Sequence, residues 1–184
     1  MQKVSNFKTA AAYAEAWFDA AKDMKTEDTV FEEVRALREG IGDVIALWNS
    51  MAAPIEAEND QIDVITALAK KIKLSQVSEE TLKLVAKNNR LRIIPLILNE
   101  FIRLYYQHKG IVEVFAESAI ALNEEQNNKL KKILENKLNA PVVIDYHVNP
   151  EVLGGLSIRF ASYLIDDTVR SKLLKLEQLL AKGN

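Results

Sequence analysis

The sequence predicts a mainly α-helical fold with a small α+β part: a six-helix bundle over residues 1–109, then a smaller unit over residues 110–184 with a β-hairpin or small sheet and helices. Three observations predict it. Apolar residues recur at helical spacing through the first 109 positions. Beyond Gly110 the spacing falls to two, in short runs rich in Val, Ile and Phe. With 6 Gly and 4 Pro in 184 residues, no low-complexity linker breaks the pattern, and the 48% hydrophobic content is that of a chain with a core.

The first helix spans 6–23, where Phe7, Ala10, Ala11, Ala14, Trp17, Phe18 and Ala21 form one stripe and Lys8, Glu15, Asp19 and Lys22 a narrow polar edge. Its remaining face carries Thr9, Ala12, Tyr13, Ala16 and Ala20. Charges normally occupy that place on a surface helix, so a second partner is expected there. Thr29 and Glu32 have the spacing of a capping box for a second helix through Val30, Val34, Leu37 and Ile41. Gly40 and Gly42 then punctuate, and a short third helix carries Val44, Ile45 and Trp48 and ends before Pro54. Asp60 can cap a fourth, with Ile62, Ile65, Leu68, Ala69 and Ile72 inward. Ser78 can cap the fifth, which packs through Leu82, Val85, Ala86 and Asn89 while Leu84 points the opposite way. Pro95 suits the first turn of the sixth, which runs through Ile97, Leu98, Phe101 and Tyr105 to Gly110.

In the second unit 111–116 reads as a strand, and Asn123 to Gln126 opens a helix to about Leu138. Two further alternating runs follow, 142–148 and 156–160. The Asn149-Pro150 turn and the Gly154-Gly155 pair between them predict an antiparallel hairpin. A last helix from about Asp167 to Ala181 carries Val169, Leu173, Leu176 and Leu180 on one side.

Composition removes most chemistry. There is no cysteine, hence no disulfide frame, thiolate nucleophile or zinc finger. No phosphate-binding Gly-rich loop is present, and His108 and His147 lack partners at metal-ligand spacing. Asp166-Asp167-Thr168 reads as a turn and helix cap rather than a catalytic carboxylate pair, and structural ion pairing is expected of Arg159 and Arg170. We therefore expect no enzyme, cofactor or metal. A net charge of −2, with Lys70-Lys71 and Lys131-Lys132 not interleaved with aromatics, argues against nucleic acid. No apolar run is long enough to span a bilayer and the start lacks a signal-peptide core, which reads as a cytosolic protein kept without processing. Residues 1–60 carry a net −6 and residues 61–109 a net +5, a pattern open to two readings: solvated helix faces, or a docking surface of mixed sign. The spare face of the first helix and the outward Leu84 together suggest a groove for an amphipathic helix.

The stretch from Tyr146 to Phe160, with its Pro-containing turn, Gly154-Gly155 and apolar-x-Arg159 strand, leads into Ile165-Asp166-Asp167-Thr168-Val169-Arg170 and a Leu-rich helix. This resembles the δ subunit of bacterial F-type ATP synthase, whose mitochondrial relative is the oligomycin-sensitivity-conferring protein. Tyr13 to Phe18 and Val85 to Leu91 are similar to the same family, in order and over essentially the whole chain. The chain departs from the family at Ala11-Ala12, where arginine is frequent, and at Asp166-Asp167-Thr168, which replaces an Asp-Gly-Ser turn; two further departures fall in turns. Asn89 stands where the family usually has glycine, and Ala161-Ser162 replaces a Gly-Asp turn between the last strands.

The resemblance implies a non-catalytic stator, one copy per complex, at the cytoplasmic face of the bacterial plasma membrane and without insertion into it. Its N-terminal bundle would hold the N-terminal helix of an α subunit between the first and fifth helices, on Tyr13, Ala16, Ala20, Thr81, Leu84 and Asn88. Its C-terminal unit would bind the ends of the b subunits, with Gly154, Gly155, Arg159, Asp166, Val169 and Arg170 as the structural motif. The alternative is a free-standing adaptor using the same groove for an unrelated partner.

Overall fold

The computed structural model describes residues 2–51, 62, 65–66, 69–70 and 72–182. Two compact units divide the chain, Met1–Tyr105 and Tyr106–Asn184. The first is helical: α1 (Gln2–Asp23), α2 (Glu27–Met51), helical residues within 62–72, α3 (Gln76–Lys87), a 3-10 turn (Leu91–Ile93) and α4 (Ile94–Lys109). The second holds β1 (Val112–Ser118), α5 (Glu124–Leu138), β2 (Val142–Val148), a 3-10 turn (Pro150–Val152), β3 (Leu156–Phe160), β4 (Tyr163–Asp166) and α6 (Val169–Lys182). The mainly α class with a small β part is the one observed.

In α1, Ala10, Ala14, Trp17, Phe18 and Ala21 are buried as the stripe requires, but Phe7 is 61% exposed. The stripe there extends beyond what covers the helix among the described residues. Small residues at 10, 14 and 21 allow close approach, and the aromatic pair meets α4, with Phe101 5.3 Å from Trp17 and 5.6 Å from Phe18 between ring centroids. Val30, Phe31, Val34 and Leu37 of α2 and Ile94, Ile97, Leu98, Phe101 and Ile102 of α4 complete the core, with Ile65, Ala69, Leu82, Val85 and Ala86. Ile72 is exposed. The expected packing of Ile41, Val44, Ile45, Trp48, Leu68, Leu176 and Leu180, the cap at Asp60 and the stop at Pro54 lie outside the described residues and side chains.

Three expectations about these helices are corrected. α2 runs unbroken from Glu27 to Met51, so the expected second and third helices are one. Gly40 and Gly42 weaken a helix without ending it, because glycine keeps its N–H for the ladder. α2 also starts before Thr29: Val30 N donates to the Thr26 carbonyl, and Glu27 and Asp28 supply acid in the first turn. At α3 the cap is Ser75, whose hydroxyl accepts from Ser78 N, and Ser78 is fully buried. Glu33 of α2 decides this. Its carboxylate accepts from Ser75 N at 2.6 Å, from the Ser75 hydroxyl at 2.8 Å and from the Ser78 hydroxyl, placing a negative charge on a helix N-terminus.

α1 and α3 end alike. Thr26 N reaches the Ala21 carbonyl past a left-handed Lys25, and Arg90 N reaches the Val85 carbonyl past a left-handed Asn89. Asn89, at φ 54°, thus occupies the conformation glycine would supply, at the small cost asparagine bears. It is exposed, so it serves the turn and not the core packing expected of it.

The sheet order is β2-β1-β3-β4. β1 and β2 are parallel with Val112 opposite Val142, and α5, opened by the expected Asn123/Gln126 capping box, makes the crossover. β3 runs antiparallel to β1, Ser118 opposite Leu156. The expected hairpin between 142–148 and 156–160 is therefore incorrect, since β1 lies between these strands. Their connection folds over the end of β1, where Asn149 N donates to the Ser118 carbonyl at 2.8 Å and Asn149 Nδ2 to Glu117 Oε1 at 2.6 Å. The tight hairpin is instead β3–β4, closed by Ala161-Ser162 with Phe160 opposite Tyr163. One sheet face packs Val114, Val142 and Ile158 against Leu134 of α5.

Candidate functional site

Among the described residues, the core of the N-terminal unit covers one side of α1 and leaves the other side open. Between α1 and α3 lies a groove of about 470 Å³ lined by Lys8, Thr9, Ala12, Tyr13, Ala16, Leu84 and Arg90. Ala12 and Ala16, both exposed, line it with only a methyl group each. One wall is Leu84, which stays 50% exposed because Leu82, Val85 and Ala86 use the buried face of its helix. The other rises at Tyr13, whose ring lies 5.7 Å from the Arg90 guanidinium.

Of the six residues expected to hold a partner helix, the structure brings Tyr13, Ala16 and Leu84 into this groove. Ala20, Thr81 and Asn88 are not among its lining residues. Thr81 donates its hydroxyl to the Val77 carbonyl at 2.8 Å, and Asn88 Nδ2 donates to the Leu84 carbonyl at 2.9 Å, so both polar groups are used within their own helix. Arg90 and Lys8 were not expected. The periodicity of the sequence places Lys8 on a polar edge and gives Arg90 no helical position. The turn at Asn89 is what carries Arg90 back over Tyr13.

In the C-terminal unit the motif residues other than Arg159 assemble around the start of α6. Gly155, at φ +84°, has no room for a side chain: a Cβ would lie 2.9 Å from the Thr168 Cα and closer still to the Asp167 carbonyl oxygen. A Cβ on Gly154 would meet the Val169 methyl Cγ2 at 3.3 Å. The two segments are tied by Asp167 N to the Leu156 carbonyl at 3.1 Å and Val169 N to the Gly154 carbonyl at 3.0 Å. Asp166 organises the turn as expected. Its Oδ1 accepts from Thr168 N and the Thr168 hydroxyl, and its Oδ2 from the Ser171 hydroxyl at 2.6 Å. The Ser171 hydroxyl first, then the Thr168 donors, hold its carboxyl below the usual range. Thr168 caps α6 by accepting from Ser171 N.

Arg170 pairs with Glu151 at 3.6 Å, the ion pairing expected of it. Arg159 differs, lying over the Phe115 ring at 5.3 Å. Phe115, Glu117, His147, Ser157, Arg159 and Asp166 line a second concavity of about 450 Å³ on the sheet. Leu164, Leu173 and Leu174 are also exposed, at 63%, 52% and 47%. Among the described residues no group of three or more His, Asp or Glu could hold a metal, and no helix is long and apolar enough to cross a membrane.

Comparisons with known proteins agree with this architecture. Residues 9–180 match the family described as ATP synthase delta (OSCP) subunit. ATP synthase subunit delta of Rickettsia bellii is 33% identical over 172 residues, 94% of this chain and 91% of the relative. The Roseobacter denitrificans protein of the same name is 32% identical over 171 residues, 93% and 92% of the two chains. A chain of the Toxoplasma gondii mitochondrial ATP synthase hexamer, solved by cryo-electron microscopy, superposes with a TM-score of 0.74 at 19% identity, covering 94% of this chain and 97% of that one. On the family match and these identities, the chain belongs to the ATP synthase delta (OSCP) subunit family, a non-catalytic component of ATP synthase.

Proposed function

We propose that this subunit is the stator joint of the enzyme, binding the N-terminal helix of an α subunit in the α1–α3 groove and the ends of the b subunits through its C-terminal unit. The catalytic head is then held against the rotor, and proton-driven rotation is coupled to ATP synthesis. On this reading it is a peripheral protein, one copy per complex, at the cytoplasmic face of a bacterial plasma membrane. The observation that carries the reading is the open apolar groove beside the buried core of the helical unit. Among the described residues, no part of the core covers the exposed methyls of Ala12 and Ala16 or the outward Leu84. A docked amphipathic helix would cover all three. The exposed Leu164, Leu173 and Leu174 support a protein contact for the second unit. Such a joint must resist torque, which requires affinity and rigidity rather than chemistry.

Calorimetric titration with a synthetic peptide of the cognate α-subunit N-terminus tests the head contact. About half of Leu84 remains to be buried, so Leu84→Ala should cost roughly 1 kcal/mol, about fivefold in Kd. Leu84→Glu should abolish saturable one-to-one binding without loss of helical circular dichroism. Absence of binding by the wild-type chain at tens of micromolar would place the head contact elsewhere.

A further inference from the structure

We infer that the α1–α3 groove selects an acidic amphipathic helix, with a carboxylate beside its apolar stripe that Arg90 and Lys8 receive. This rests on the docking reading above and adds a chemistry to the occupant. The groove's lining is apolar or neutral except at two positions, and both are cationic; no acidic side chain lines it. Among the described residues neither Arg90 nor Lys8 is paired with a carboxylate. The contrast with Lys83 on α3 is direct. Its ammonium is held by Glu79 at 2.6 Å, neutralised within its own helix. Arg90 instead lies over the Tyr13 ring, a contact that orders the guanidinium plane and leaves its N–H donors to a ligand. Such a planar fork suits bidentate binding of a carboxylate.

The charges also supply what the apolar floor cannot. A narrow stripe of methyls accepts a helix in either direction and in registers one turn apart. Two cations in the groove's lining, one of them ordered over Tyr13, break that degeneracy, because only one direction and register brings the partner's carboxylate to Arg90. The same charges make the encounter faster at low ionic strength.

The test uses the intact chain and the α-subunit N-terminal peptide, with each Asp or Glu of the peptide replaced in turn by Asn or Gln, at low and high salt. Arg90→Gln should weaken the parent peptide about three- to fivefold at low salt, and Lys8→Gln about twofold, both losses shrinking at high salt. Against the peptide lacking the matched carboxylate, Arg90→Gln should change nothing, closing a double-mutant cycle. Arg90→Lys should keep much of the salt dependence, which separates lost charge from a disturbed turn at Asn89. A peptide that binds, and is lost on Leu84→Glu, yet ignores Arg90→Gln and Lys8→Gln at both salts would leave the docking site standing and overturn the charge selection. No binding to the wild-type chain would overturn the docking reading and this inference with it. Self-association of the chain, abolished by Leu84→Glu, would put a second copy in the groove and overturn the proposed occupant.

Discussion

Replacing Gly155 by alanine should loosen the start of α6 from the sheet, and its size can be worked from the backbone. Two costs combine. A φ of +84° is strained for any L side chain, by about 1–2 kcal/mol. The new methyl also meets the Asp167 carbonyl oxygen and, at 2.9 Å, the Thr168 Cα. Both are backbone, so no rotamer change relieves them. The chain must move apart where Asp167 N–Leu156 O and Val169 N–Gly154 O now hold it. Losing one such bond adds about 1 kcal/mol, giving roughly 2–3 kcal/mol in total. Hydrogen exchange resolved by residue is the assay: the amides of Asp167 and Val169 should lose about 30- to 150-fold protection, while those of α1 are unchanged. Gly110→Ala is the control. Gly110 shares a positive φ, +66°, but an added Cβ there meets nothing within 4 Å, so only the conformational cost should appear. Unchanged protection at Asp167 and Val169, or an equal effect from Gly110→Ala on the same amides, would refute the close-approach argument.

Two smaller perturbations test other parts of the fold. Burial first, then the hydrogen bond to Asp28 and the charges of Asp28, Glu32 and Glu27, push the Tyr105 hydroxyl up to about 12. A raised folded pKa means the stabilisation is complete below the unfolded value near 10 and lost as pH rises towards 12. The unfolding free energy of the wild type, from urea titrations, should therefore fall across that window by on the order of 2 kcal/mol more than that of Tyr105→Phe, which keeps the stack on Phe31; equal alkaline profiles would count against the assignment. Ala161, at φ 47° in the β3–β4 turn, is strained where glycine is not. Ala161→Gly should raise the stability of the second unit by about 0.5–1 kcal/mol, read as slower exchange of β3 and β4 amides; faster exchange would show the strain to be absent.

The helices were legible because their signal is local. Val30, Val34 and Leu37, or Ile97, Leu98 and Phe101, recur at the helical period and are buried in that pattern. Strand existence was legible for the same reason, but strand order was not. Alternation at 142–148 and 156–160 states that two strands exist and says nothing of which neighbour each takes. The Gly-Gly connection looks like a hairpin until Asn149 is seen bonded across the end of β1. β4 does not show in the alternation, because Tyr163-Leu-Ile-Asp166 is four residues long, too short for a period to register; only the family's turn at Ala161-Ser162 implies it. The cap at Ser75 was missed because the group that selects it, Glu33, lies 42 residues away in sequence.

The groove divides along the same line. Tyr13, Ala16 and Leu84 could be picked out because each violates the pattern of its own helix: small or apolar groups stand where charges belong. Ala20, Thr81 and Asn88 share those helical faces without lining the groove, since a wheel gives direction around an axis but not where two helices approach closest. Arg90 breaks no pattern of its own. It reaches the groove only because Asn89 adopts the left-handed turn that sends the chain back towards α1. Departures from periodicity thus reveal an exposed apolar groove, whereas Arg90 at its edge is positioned by the turn that follows a helix and not by the helix itself.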